Sequence, residues 1–331
     1  MVVIYHPEVA VLDRLRALTM QLSTVIVVDN GSTGESRSVV EAVGRLAGIR
    51  LIRNASNLGI AAALNLGVRQ ALADGVEWMG TFDQDSEIPH QYFEELLRAS
   101  RACPDADRVG MVVPGVWASP LVQGSGSTVT TAPSAFPAHE PPGKMASSPQ
   151  TSPPGAEREK TSPAKAPAFA YVQAAITSGS LVRADVFGKV GFFDEALFID
   201  YVDADFCLRL GRAGYTIVSA PNAHLAHELG DSQTRNLFGF RLSFRIHHPW
   251  RYYYIMRNRV VMLRRYASDF PRWAFRDAGW MFLELGRMAI LESGRIGKLH
   301  CAFLGLWDGI RGRLGRHPRF PPPPADSTEL R

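Results

Sequence analysis

The stretch TVIVVDNGS, Thr24 to Ser32, decides how the fold is read. Four β-branched residues in a row, Val25 to Val28, read as a buried strand, and Asp29-Asn30-Gly31-Ser32 supply the turn signal that ends it. Before it lies a shorter run of the same kind, VVIYHP, closed by Pro7. Between the two, LDRLRALTMQL places Leu12, Leu15, Leu18 and Leu22 at helical spacing. After it come a strand, IRLIRN, a helix, AAALNLGVRQALADG, and a further strand, EWMGTFDQDS, that runs into a polar tip. Strands alternating with helices of this length imply βαβ units and an α/β fold with a mostly parallel sheet flanked by helices.

Ligands of such sheets sit at the carboxyl ends of the strands. Asp29 and the pair Asp83 and Asp85 fall there by this reading. An Asp-x-Asp tip can hold a hard divalent cation that also needs phosphate oxygens. A plain turn has the same composition. The NASNLGIAAALN stretch, Asn54 to Asn65, brings Asn57 and Gly59 to a helix N-terminus. That suits contact with a base or an anion, and capping explains it equally.

The chain has 331 residues, 46% of them apolar, enough for a substantial core. From Pro114 to Pro167 the composition shifts: 11 of the 22 prolines lie there among Ser, Ala, Thr and Gly, so a disordered or lid-like insertion is expected over 119–168. Order is expected to return over 169–234, with a strand to about Ser180, a helix from about Ala184, another around 203–213 and a strand TIVSAP. A basic helical region over 235–319 and a disordered Pro-rich tail over 320–331 complete the division. Between Arg235 and Arg319 there are 17 Lys and Arg against 5 Asp and Glu, a surface for an anionic partner. No nucleic-acid-binding motif accompanies it.

Cys103, Cys207 and Cys301 show no paired spacing, which points to a reducing compartment rather than a disulfide framework. The opening MVVIYHPEV has no basic n-region, and no apolar run approaches a membrane span. His224 and His227 lie three apart in HLAHE, without the HExxH arrangement of a zinc peptidase.

ALFIDYVDADFCLRL, residues 196–210, sets Asp200, Asp203 and Asp205 among large apolar residues. Burial of unpaired carboxylates is costly, so each needs a reason. Asp200 is placed to cap a helix, and Asp205 to pair with Arg209 at i, i+4. Crowding raises the proton affinity of at least one member, which suits a general base.

Taken in order, VVDNGS, NLGIAAALNLGV, DQDS, TSGSLV, VGFFDEALFIDYVDADFCLRL, HELGDS and RYYYIMRNRVV resemble the family 2 inverting glycosyltransferases of GT-A fold, within them the bacterial rhamnosyltransferases. The resemblance covers about residues 1–118 and 169–268. It implies a GT-A-type, Rossmann-like sheet with a nucleotide-sugar-binding half (1–118) and an acceptor half (169–234). It also implies transfer of L-rhamnose from dTDP-β-L-rhamnose, or of another sugar from a UDP donor, to a glycan or lipid-linked acceptor. Asp29 would bind the base, Asp83 and Asp85 a Mg or Mn ion with His227 as third ligand, and Asp203 would be the base. Asn57, Thr177, Ser178 and Gly179, with Arg251 and Arg257, would contact the donor. The protein would be cytoplasmic, peripheral on the inner membrane face.

Two departures stand out: Ile4 occupies a position where the resemblance leads one to expect Thr, close to the chain's first residue, and the Pro-rich insertion is longer. A truncated start with an incomplete base pocket is the matching expectation. An inactive relic that binds nucleotide or a partner is the alternative from another class; the joint presence of Asp83, Asp85 and Asp203 favours the enzyme.

Overall fold

The computed structural model describes residues 1–118, 168–226, 232–237 and 240–320. Residues 119–167 and 321–331, within the expected insertion and tail, lie outside the described residues, as does His227.

The first half alternates as expected: β1 (Val2–Ile4), α1 (Val11–Thr19), β2 (Val25–Asp29), α2 (Ser36–Gly44), β3 (Ile49–Arg53), α3 (Ile60–Ala73), β4 (Trp78–Asp83), α4 (Tyr92–Ala102) and β5 (Val109–Ala118). β2 is buried along its whole length because both of its faces are covered. Val25 and Val27 turn with Val2 and Ile4 to a core shared with α1, α2 and α4, through Leu15, Val43 and Leu96. Val3, Ile26 and Val28 face the opposite core, where Ala63, Leu64 and Val68 of α3 pack.

The second half adds β6 (Ala170–Val172), β7 (Ser180–Arg183), α5 (Val186–Val190), α6 (Val202–Arg212), β8 (Thr216–Ala226) and a hairpin of β9 (Ser232–Leu237) and β10 (Phe240–Arg245). Eight strands form one sheet in the order β3-β2-β1-β4-β7-β5-β8-β6. The β3-β2-β1-β4 half is parallel, as is β5 with β8, whereas β7 runs antiparallel to both of its neighbours and β6 antiparallel to β8. The strand expected to end near Ser180 instead begins there, because Gly179 takes a positive φ of 80° and turns the chain at that point.

The helical region expected from 235 starts only at Pro249, because the chain before it pairs as the β9–β10 hairpin; three helices then follow, α7 (Pro249–Tyr266), α8 (Pro271–Leu291) and α9 (Arg295–Ile310). Proline opens α7 and α8, where its missing N–H costs no helical bond. Met262 and Tyr266 of α7 and Trp273 of α8 pack on Ala204 and Leu208 of α6, joining these helices to the sheet domain. Gly305 lets α9 approach α7 closely: a Cβ there would stand 2.2 Å from the Tyr253 carbonyl oxygen.

Gly305→Ala must therefore push α7 and α9 apart, and is expected to cost about 1–3 kcal/mol despite alanine's better helix propensity. Gly297→Ala in the same helix meets nothing within 4 Å and should be neutral or stabilising. Thermal melts of the two variants check this; equal melting temperatures would contradict the close crossing.

Candidate active site

β1, β2 and β4 run parallel and end at one edge of the sheet. At the end of β2, Asp29 is buried, and its Oδ1 accepts from the Ser32 N–H at 3.0 Å and the Ser32 hydroxyl at 2.5 Å. Asn30 beside it is a hub. Its Nδ2 donates to Asn57 Oδ1 and to the Gly59 carbonyl, while its Oδ1 accepts from Asn54 Nδ2 and the Leu58 N–H. Asn57 Oδ1 also accepts from the Gly59 N–H. The Asn57 amide thus builds the loop that frames the β2 end.

At the end of β4 the chain turns through Asp83 to Ser86, closed by the Ser86 N–H donating to the Asp83 carbonyl. Gln84 reaches back to accept from the Tyr5 N–H at 2.8 Å, which ties the tip to the end of β1. Asp83 is exposed and Asp85 half-buried. The turn Thr177–Ser180 braces this tip from the neighbouring strand. The Asp83 N–H donates to Ser178 Oγ at 3.2 Å, Thr81 Oγ1 donates to the Thr177 carbonyl, and the Gly179 N–H donates to the Thr81 carbonyl. Only glycine fits at 179, where a Cβ would meet Leu225 at 2.5 Å and the Tyr92 hydroxyl at 2.7 Å.

The same turn holds Asp203, because Thr177 Oγ1 donates to Asp203 Oδ1 at 2.8 Å. One four-residue turn therefore fixes both the metal-type tip and the first turn of α6. Desolvation pushes the Asp203 carboxyl up to about 6; the Thr177 hydrogen bond pulls the other way, and the negative charges of Asp83 and Asp200 add to the rise. Such a group is ionised at neutral pH and holds a proton more readily than an ordinary aspartate. That is the requirement for a general base.

The segment leading into α6 is strained. Phe198, Asp200 and Tyr201 all have positive φ, at 66°, 60° and 62°, each costing on the order of 1–3 kcal/mol. Fully buried Asn258 offsets this: its Nδ2 donates to the carbonyls of Leu197, Ile199 and Asp200 at 2.7–3.0 Å. Arg257 Nη2 donates to the Leu197 carbonyl as well, and the Ile60 N–H to that of Phe198. Sequence reading of RYYYIMRNRVV offers Asn258, together with Arg251 and Arg257, to the diphosphate; the structure instead buries it and turns its amide onto the Leu197, Ile199 and Asp200 carbonyls.

Three aspartates have three different surroundings. Asp205 is buried against Arg209 at 2.8 Å, as its spacing predicts, and also accepts from the Tyr266 hydroxyl and faces Arg265. Asp200, expected from sequence to cap α6, does not cap it. Tyr201 at the cap position has a left-handed backbone with no side-chain cap, and Asp200 instead pairs with Arg251 at 2.9 Å. Asp83 also acts on the Arg251 charge, so Arg251 stands at the cleft.

Arg257 does not stand there. It is 1% exposed, and it spends its donors on Asn258 and on the Gly315 and Leu197 carbonyls. Its guanidinium lies 4.8 Å from the Tyr254 ring centroid. The structure therefore brings together Asp83, Asp85, Thr177, Ser178, Asp203 and Arg251 and leaves Arg257 as a brace of the helical region. Among the described residues no group of three or more His, Cys, Asp and Glu could by itself hold a metal ion. Two carboxylates on one tip nevertheless match a hard cation that takes its remaining ligands from water and phosphate oxygens.

Between pH 3.8 and 6 the unfolded Asp203 ionises while the folded one stays protonated, so stability drains away as pH rises through that window. Asp203→Asn in metal-free buffer should therefore raise the melting temperature at pH 8, by about 1–2 kcal/mol in stability, with the gain vanishing below pH 4. An equal gain at both pH values would contradict the desolvated carboxylate.

Residues 2–118 match the sequence model of Glycosyl transferase family 2. The chain is 27% identical over 325 residues to the dTDP-rhamnosyl transferase RfbF of Shigella flexneri, spanning 95% of each chain. It is 28% identical over 230 residues, 64% of this chain and 69% of the relative, to an N-acetylglucosaminyl-diphospho-decaprenol L-rhamnosyltransferase of Mycobacterium tuberculosis. It is also 26% identical over 323 residues to the galactofuranosyltransferase GlfT1 of that organism. Among solved structures, S. aureus TarS 1-349 in complex with UDP-GlcNAc superposes with a TM-score of 0.54 at 13% identity, covering 94% of this chain and 80% of that one. GalNAc-T7 with UDP, GalNAc and Mn2+ gives 0.53 at 10% identity over 94% of this chain and 55% of that one. These two likenesses bear on the fold, which is of GT-A type.

Proposed function

From a chain that is a glycosyltransferase with a family 2 domain over residues 2–118, we propose an inverting transferase that moves L-rhamnose from dTDP-β-L-rhamnose to a hydroxyl of a lipid-linked or cell-surface glycan. It works in the cytoplasm at the inner membrane face. The observation that carries the reading is Asp203, fixed by Thr177 on the same turn that braces the Asp83–Asp85 tip. The rhamnosyltransferase relatives support the donor, one of them along nearly its whole length.

Inversion needs a base on the face of the sugar opposite the nucleotide. Asp203 takes the proton from the acceptor hydroxyl as the oxygen attacks the anomeric carbon. Thr177 holds the carboxylate in place. Asp29, on the buried end of β2, holds the pyrimidine base. Arg251, oriented by Asp200, offers a guanidinium to diphosphate oxygens. A divalent cation, Mg or Mn, held by Asp83 and Asp85 when bound, supplies positive charge against the departing diphosphate.

Purified protein is tested with dTDP-rhamnose and a panel of UDP-sugars, each with Mn, Mg or EDTA and lipid-linked acceptors. The expected outcome is release of dTDP that EDTA abolishes and that Asp203→Asn lowers by about 10²–10⁴-fold without loss of nucleotide binding. Turnover of a UDP donor alone would move the assignment to another sugar, a case the galactofuranosyltransferase relatives keep in the panel. Binding with no turnover of any donor would establish the relic.

A further inference from the structure

We propose that the outward face of α8 and α9 is a docking surface for an anionic phospholipid bilayer. The proposal rests on the function above for its purpose, an acceptor carried on lipid. It draws its support from the helices themselves.

α9 has a buried stripe, Cys301, Ala302, Gly305, Asp308 and Gly309, directed at its neighbours. Opposite this stripe, Ile296, Phe303 and Trp307 are exposed, Ile296 to 83%. α8 turns Met281, Leu285 and Met288 to the core it shares with α7 and α9. Phe275, Phe282 and Ile290 point away from that core, with Phe275 84% exposed. Apolar residues at i, i+7, i+11 or i+15 make one continuous stripe on each helix. A solvent-facing helix would carry polar residues there, and exposed patches of large apolar side chains mark interaction surfaces.

The placement of charge selects the partner. All four carboxylates between Pro271 and Ile310 turn inward: Asp277 to Arg259 and Tyr201, Glu284 to Arg259, Glu292 to Lys298, and Asp308 to the Tyr253 hydroxyl. The charged residues left on the outer side are cationic. Arg272 and Arg295 are exposed near the starts of the two helices, and Arg311 closes α9. Arg311 lies 4.3 Å from the Trp307 ring centroid, an amphipathic pair suited to headgroup depth. An apolar face edged only by arginines complements anionic lipid. No helix among the described residues is long and apolar enough to cross the membrane, so these helices would lie on it.

Vesicle flotation tests this with the full chain, phosphatidylglycerol-containing vesicles and pure phosphatidylcholine vesicles. Circular dichroism serves as the folding control, and donor hydrolysis in solution is run alongside. The expected result is binding to anionic vesicles at least about tenfold above neutral ones. Phe282→Glu/Trp307→Glu should reduce that binding about tenfold or more while solution hydrolysis is unchanged. Arg272→Gln/Arg295→Gln/Arg311→Gln should reduce it and flatten its salt dependence. The proposal is overturned if wild type stays unbound, if anionic and neutral vesicles bind equally, or if the variants float like wild type. It is also overturned if lipid-free sedimentation shows a dimer that Phe282→Glu/Trp307→Glu converts to monomer, since the face would then belong to a second copy. Loss of hydrolysis with vesicle binding intact would count against the proposed reaction and not against this surface.

Discussion

Everything in the cleft depends on one bond, from the Thr177 hydroxyl to the Asp203 carboxylate. A base for sugar transfer must be withdrawn from water far enough to want a proton, yet still be ionised at neutral pH. Burial alone would raise the Asp203 carboxyl further and leave it loose. A donor hydroxyl from a rigid turn tempers the desolvation and fixes the position. The rigidity of that turn comes from the sheet: Gly179 and Thr177 bond to Thr81, and Ser178 to the Asp83 backbone. Distance between tip and base is thereby set by β4–β7 pairing rather than by flexible loops.

The C-terminal helices brace the site and lend it Arg251. Three positive-φ residues before α6 persist because Asn258 and Arg257 hold the carbonyls of Leu197, Ile199 and Asp200 from behind and the Ile60 N–H holds that of Phe198. Arg251, nearer the start of α7, reaches the cleft through Asp200. The opposite side of the same helical layer carries the apolar, arginine-edged face of α8 and α9. One layer thus braces the catalytic segment and presents a surface, which couples the strain of the site to the stability of the layer.

The parallel half of the sheet could be read from sequence because strands covered on both faces leave runs such as Val25–Val28. Asp29, Asp83 and Asp85 followed from strand ends. Two helices went unread: α2 offers only Val40 and Val43 as a buried apolar pair, and α4 has its apolar spacing, Tyr92, Leu96 and Ala99, broken by charged residues. Arg251 and Arg257 looked alike in sequence, but six residues on a helix is about 240° of rotation, so they face different surroundings. Asp200 resembled a cap because its partner lies 51 residues away. Long-range pairing of this kind, like the Asn258 clamp, leaves no local signature.

The account's central claim is that Asp203 is the base, and the pH dependence of kcat/KM for sugar transfer tests it most directly. The account predicts activity that falls on the acid side with a midpoint near 6, matching the raised carboxyl, and residual turnover by Asp203→Asn that lacks this limb. An acid limb that persists unchanged in Asp203→Asn would assign the proton transfer to another group and contradict it.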